Sequence, residues 1–216
     1  GYLRQSQGDE AALAELAQLA QGAKGTPLAD KFTAMTAEID ADRGHTTEAI
    51  ATLKALLDLS EPSAQTMDIK LALARVLEKT GDRAGATQMV TEILTDDPTA
   101  VEALKMRGSW ALQDNQTRAA LDDLTKATAQ SPRDAELLVL LARAYEAEGD
   151  TAFAGQNYAL AVEASGDGAA ASLAHYAFLL RTGRDDLANS VLANALEANP
   201  GNVTLLGEAA QISAAA

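Results

Sequence analysis

Two histidines and a few paired carboxylates are the residues in these 216 whose types could support acid–base or metal chemistry. His45 falls in a turn between two helical patterns, and His175 falls on a helix face at a packing position. A histidine metal site needs a second ligand at turn or helical spacing, and neither has one, so both read as structural. The pairs Asp96-Asp97, Asp122-Asp123 and Asp185-Asp186 are adjacent in sequence, and adjacent residues do not share a helix face. They read as solvated surface and helix caps. Asp40 and Asp42 ahead of Gly44 begin like a calcium loop, but the later ligands and the closing glutamate are missing. There is no phosphate-binding glycine loop and no nucleophile elbow. The chain reads as a non-enzyme that uses no metal and no cofactor.

The charge balance narrows the partners. With 31 acidic against 17 basic residues the formal charge is −14, which opposes binding to nucleic acid, because lysine and arginine must neutralise the phosphates. No apolar run is long enough to span a bilayer, so direct membrane insertion is not expected. The absence of cysteine excludes disulfides and thiolate metal sites and leaves the redox compartment open. No basic stretch followed by an apolar stretch marks a targeting peptide, and the chain starts at Gly1, so any such peptide lies outside it.

The elements that would carry side chains into a site follow from a 34-residue period. Pro98, Pro132 and Pro200 share one phase, with Gly166 in the intervening slot. Ala86, Ala120, Ala154 and Ala188 share a second, and Gly81, Asn115, Gly149 and Gly183 a third. Such periodicity marks stacked supersecondary units that bury their apolar faces only against neighbours. Alanine supplies 48 residues and aromatics only 4% of the chain, which suits closely packed helices and argues against a sheet. Within 135–168, Leu138, Leu141, Ala142 and Tyr145 recur at helical spacing, Gly149 supplies a left-handed stop, and Ala154, Tyr158 and Ala161 line a second helix. Asp82 and Asp150, just after the glycine, are placed to cap the second helix, and the proline ends it.

These residues resemble the tetratricopeptide repeat (TPR) family. Its pattern is matched by Leu138, Leu141-Ala142, Tyr145, Gly149, Ala154, Tyr158 and Ala161, and again by Leu104, Gly108, Ala120, Leu124, Ala127 and Pro132 with Asn115 in the glycine slot. The resemblance implies an all-α fold, a right-handed superhelical solenoid of helix-turn-helix repeats. The divisions are a partial repeat at 1–29, a repeat with a short insertion near Glu61-Pro62-Ser63-Ala64 at 30–66, repeats at 67–100, 101–134 and 135–168, a degenerate repeat at 169–202, and a partial repeat or capping helix at 203–216. Gly1–Gln7 reads as the second half of a first helix, so both ends cut through repeats. In 169–202, His175 and Tyr176 replace the usual Leu-Gly pair, which predicts a rotated or shifted first helix. At 203–216, Leu205, Leu206 and Ile212 are expected to be covered by the preceding repeat.

The resemblance further implies that the fifth and ninth positions of each unit line a concave face. These are Leu71 and Arg75, Lys105 and Ser109, Val139 and Arg143, Leu173 and Ala177, with Ala34 and Glu38 upstream. Arg75, Lys105 and Arg143 then form a basic line able to hold a carboxylate or an acidic peptide segment. The competing reading pairs these bases with Glu78, Glu102, Glu136 and Glu146, where they contribute little. A carboxylate clamp of the chaperone-binding kind needs matched asparagines, and none accompanies them. Arg107 would pack its stem and reach water with its head. Trp110 either packs between helices or anchors a partner, with packing favoured.

The leading functional expectation is therefore a scaffold binding a protein or peptide segment. Alternatives are an assembly or bridging component, with self-association through its faces, and a regulatory domain of a larger protein. The alanine-rich, acidic repeats are similar to bacterial arrays of polysaccharide-export and secretion systems. That likeness leaves the bacterial periplasm or envelope and the cytoplasm both open.

Overall fold

The computed structural model describes residues 8–59 and 64–215, and the regular structure among them is helical throughout. The helices are α1 (Asp9–Gly22), α2 (Pro27–Asp42), α3 (Thr46–Leu59), α4 (Ala64–Lys79), α5 (Arg83–Asp96), α6 (Val101–Gln113), α7 (Thr117–Gln130), α8 (Ala135–Glu148), α9 (Thr151–Ser165), α10 (Ala169–Arg181), α11 (Asp185–Ala198) and α12 (Val203–Ala215). The chain divides into two compact units, one up to Pro98 and one from Thr99. In the first, α2 pairs with α3 and α4 with α5, α1 lies on α2, and α2 also touches α4. In the second, α6/α7, α8/α9 and α10/α11 form hairpins, α6, α8 and α10 touch in turn, and α12 rests on α11.

Local chemistry sets the helix ends. Gly149 closes α8 in the left-handed conformation at φ 88, and Asn115 adopts the same conformation after α6 at φ 56. A short polar side chain is what makes that second case affordable without glycine. The Asp82 carboxylate accepts from the Gly85 amide at 2.9 Å and the Asp150 carboxylate from the Phe153 amide at 3.1 Å, capping α5 and α9. Asp134 caps α8 in the same way, through the Leu137 amide at 3.0 Å. Pro98, Pro132 and Pro200 each follow a helix end by two residues.

Packing then depends on the small phase. Ala86, Ala120, Ala154 and Ala188 are all 0% exposed, each on the second helix of its hairpin. Gly108 makes an equally close approach from α6, where an added Cβ would stand 2.7 Å from the Leu124 Cγ of α7. Larger residues fill what remains: Tyr158 is buried on α9, with its ring 5.1 Å from that of Phe178 and 6.2 Å from that of His175 on α10. Trp110 is buried in α6, which makes it a packing residue.

Two expectations need correction. The first helix of 169–202 is not rotated: α10 buries Ala171, Ser172, Tyr176 and Phe178, the positions 34 residues beyond Leu137, Leu138, Ala142 and Ala144 of α8. Register is preserved because His175 is only half-buried, so the polar ring occupies the slot of Leu141 without turning the helix. On α12, Leu205 is fully covered but Leu206 is 48% exposed, since the packing against α11 covers only one stripe. The segments Gly1–Gln7 and Glu61-Pro62-Ser63 and the side chain of Ile212 lie outside the described residues. Ala154→Trp should overpack the α8/α9 hairpin and lower stability by about 1–3 kcal/mol or more, read as a lower urea midpoint with helicity retained at room temperature. An unchanged midpoint would show that the small phase is not needed for helix approach.

Candidate functional site

A concavity of about 820 Å³ lies within the first unit, between α1, α2 and α4. Its apolar floor is built from Leu16 of α1, from Phe32, Met35 and Ile39 of α2 at helical spacing, and from Val76 of α4. Leu16, Ile39 and Val76 are buried, while Met35 is 37% and Leu19 42% exposed, so large apolar groups face solvent along the groove. The rim is charged. Arg75 donates to Glu38 at 3.2 Å, and Lys79 forms an ion pair with Asp42, so both rim cations reach from α4 to carboxylates of α2. Glu15 and Glu78 complete the rim.

The sequence-predicted residues fall separately in the two units. Arg75 lines the first-unit groove, while Leu71, one turn earlier on α4, is half-buried outside its lining. In the second unit Lys105 is held by Glu102 at 3.0 Å, Glu136 at 3.0 Å and Asp134 at 3.5 Å. Burial works against its charge, but the hydrogen bonds to Glu102 and Glu136 prevail and raise its pKa above the ordinary lysine value. Three carboxylates around one ammonium leave no excess positive charge for a ligand anion. Ser109 is half-buried on α6. Val139 and Arg143 share a cleft of about 470 Å³ with Glu136 and Ala169. Arg143 is exposed there and forms no ion pair among the described residues. Glu146 is committed elsewhere: it accepts two hydrogen bonds from Arg181 of α10, at 2.9 and 3.0 Å, and one from the Tyr158 hydroxyl of α9 at 3.0 Å. Burial, then the Glu146 carboxylate, pushes the Tyr158 phenol up to about 12.

The reading of Asp122-Asp123 as solvated surface is overturned for Asp123. Its side chain is 7% exposed and accepts from Arg107 Nε at 2.6 Å and from a terminal guanidinium nitrogen at 2.7 Å. Arg107 therefore spends its head on a bidentate pair between α6 and α7, with its exposed part still in water. A carboxylate within a tightly packed hairpin is costly to leave unpaired, and here a cation from the facing helix pairs with it. The apolar groove was also missed. Its signal was present in Phe32, Met35 and Ile39, whose spacing puts three large apolar groups on one stripe beside Glu38.

Antiparallel helix pairs repeated at a 34-residue spacing, with a small residue at each hairpin contact, define a TPR-like helical-repeat fold. Among solved structures the chain is similar to MamA, itself a TPR-like repeat protein. The "MamA 41-end" chain from Desulfovibrio magneticus RS-1 matches with TM-score 0.62 and 19% identity over 79% of this chain and 97% of that one. A double mutant of MamA from RS-1 matches with TM-score 0.58 and 18% identity over 86% and 93%. A further crystal structure of MamA matches with TM-score 0.59 and 22% identity over 72% and 90%. At these identities the likeness is one of fold. No family model matches the chain, and no curated protein does.

Two stability measurements test this electrostatic picture. Asp123→Ala should cost about 2–3 kcal/mol, less than a fully buried pair because the Arg107 head keeps some water, and the double variant Arg107→Met/Asp123→Leu should recover most of it. Equal loss in single and double variants would show that packing volume, not the pair, is responsible. His175 lies below its ordinary value of 6.5, first because burial disfavours the imidazolium and second because Arg184 repels it. The unfolded chain therefore takes up this proton first on acidification, so the contribution is full above that value and lost as the pH falls through it. The urea midpoint of wild type should fall more between about pH 7.5 and 5.5 than that of His175→Phe. Parallel profiles would remove His175 as the cause.

Proposed function

We propose that this chain is a non-enzymatic scaffold of the tetratricopeptide type that holds a segment of another protein in the groove between α1, α2 and α4. The observation that carries this reading is the partly exposed apolar stripe of Leu19 and Met35 over a buried floor, in a cavity within the roughly 300–1,000 Å³ range of binding sites. Apolar area supplies affinity, and the ordered ion pairs at the rim supply orientation. Repeats at 67–100, 101–134, 135–168 and 169–202 extend the array and offer Val139 and Arg143 as a second, smaller contact. Self-association is the alternative favoured by α12, where Val203 is 82% and Leu206 48% exposed.

The test is affinity capture with wild type beside Leu19→Glu/Met35→Glu. Both side chains are partly exposed, so the variant should keep its helicity while losing the partner recovered by wild type. Equal recovery by both proteins would place binding outside this groove. Loss of self-association on Val203→Glu/Leu206→Glu, measured by sedimentation, would instead support α12 as an assembly surface.

A further inference from the structure

We infer that the groove of the first unit selects an amphipathic helix whose polar flanks carry lysine or arginine, and discriminates against the same helix with acidic flanks. The inference rests on the groove reading above and adds the charge and conformation of the occupant. Four carboxylates, Glu15, Glu38, Asp42 and Glu78, stand on the rim against two cations, Arg75 and Lys79. Both cations are already committed to α2, through Glu38 at 3.2 Å and Asp42, so neither presents an uncommitted charge to a ligand. Arg83 of α5 approaches Glu78 at 3.8 Å, whereas Glu15 is exposed on α1 and has no cation partner among the described residues. The rim therefore carries an excess of negative charge above an apolar floor. A cation from a partner gains against it, and a carboxylate is repelled.

The walls determine the conformation. Each is an α-helix whose backbone groups are already hydrogen-bonded within it, so an extended peptide would find no strand edge to pair with. A helix needs no such partner. Laid against α1 and α2 it repeats the helix-on-helix packing of the unit, with apolar residues at i, i+3, i+4 and i+7 meeting Leu16, Leu19, Met35 and Ile39. The volume of about 820 Å³ corresponds to roughly two turns of a helix core 10 Å across.

The experiment uses the full chain and two synthetic helical peptides of about four turns, identical in a leucine and methionine face and differing only in lysine or glutamate on the flanks. Fluorescence anisotropy at about 0.05 M salt should show the lysine peptide binding about tenfold more tightly or better, with the preference shrinking near 1 M salt as the charges are screened. Glu15→Lys should narrow the preference, and the charge-neutral Leu19→Gln/Met35→Gln should weaken the lysine peptide. Equal binding of the two peptides to wild type would overturn the charge inference and leave the groove standing. Tighter binding of the glutamate peptide would overturn the charge inference in favour of the acidic ligand. Binding of neither peptide, or lysine-peptide binding untouched by the double glutamine variant, would overturn the groove reading along with it.

Discussion

Everything in this fold depends on how closely two helices can approach at one small residue. Ala86, Ala120, Ala154 and Ala188 are wholly buried on the second helices of their hairpins, where close packing leaves a larger side chain little room. Close approach fixes the hairpin geometry and so determines which faces remain for the neighbouring helix. Gly108 against Leu124 shows the constraint from the other side, since there the first helix supplies the missing volume. The turn is subordinate to this contact: it must reverse the chain quickly enough to deliver the second helix. Glycine or asparagine in the left-handed region does so in very few residues.

A chain with this excess of acid uses its cations to hold helices together. Arg107 bridges α6 to α7, Arg181 bridges α10 to α8, and Arg75 and Lys79 bridge α4 to α2. The exposed pairs among them add little stability individually. Their larger effect is on the surface: committed cations leave uncommitted carboxylates to set the field that an approaching partner meets. The scarcity of base, visible in composition, thereby becomes a property of the groove.

The helices, their ends and the hairpin contacts were legible in the sequence because each is written locally. Gly149, Asp150 and Ala154 announce a stop, a cap and a close contact within a few residues of where those features act. Asp123 was not legible. Its pairing with Arg107 spans the turn between α6 and α7, and nothing near Asp123 distinguishes it from exposed Asp122, since burial of one neighbour and exposure of the other follow from how the helix is turned in its hairpin. The basic line was legible as residue types at a period, but which of its members are paired was not: Arg75 and Lys105 are, and Arg143 forms no ion pair among the described residues. Lys105 is neutralised partly by Asp134 and Glu136, about thirty residues away in sequence. The groove was the least legible, because a concavity is defined by what three helices leave unfilled.

The same division explains where such a chain can vary. Positions at the hairpin contact tolerate only small residues, and turn positions only residues at ease with positive φ, so neither can encode a partner. Ala34, on a first helix, is also buried, and Val139 and Leu173 pack in part against the core, whereas exposed first-helix positions such as Arg143 carry no such demand. Their chemistry changes from unit to unit while α10 keeps the buried register of α8. Recognition in a fold of this kind therefore resides in residues that the packing leaves unconstrained. In the first unit Glu38 and Arg75 stand beside an apolar stripe on α2 that the described helices leave partly exposed, which is where the proposed partner would gain most by covering it.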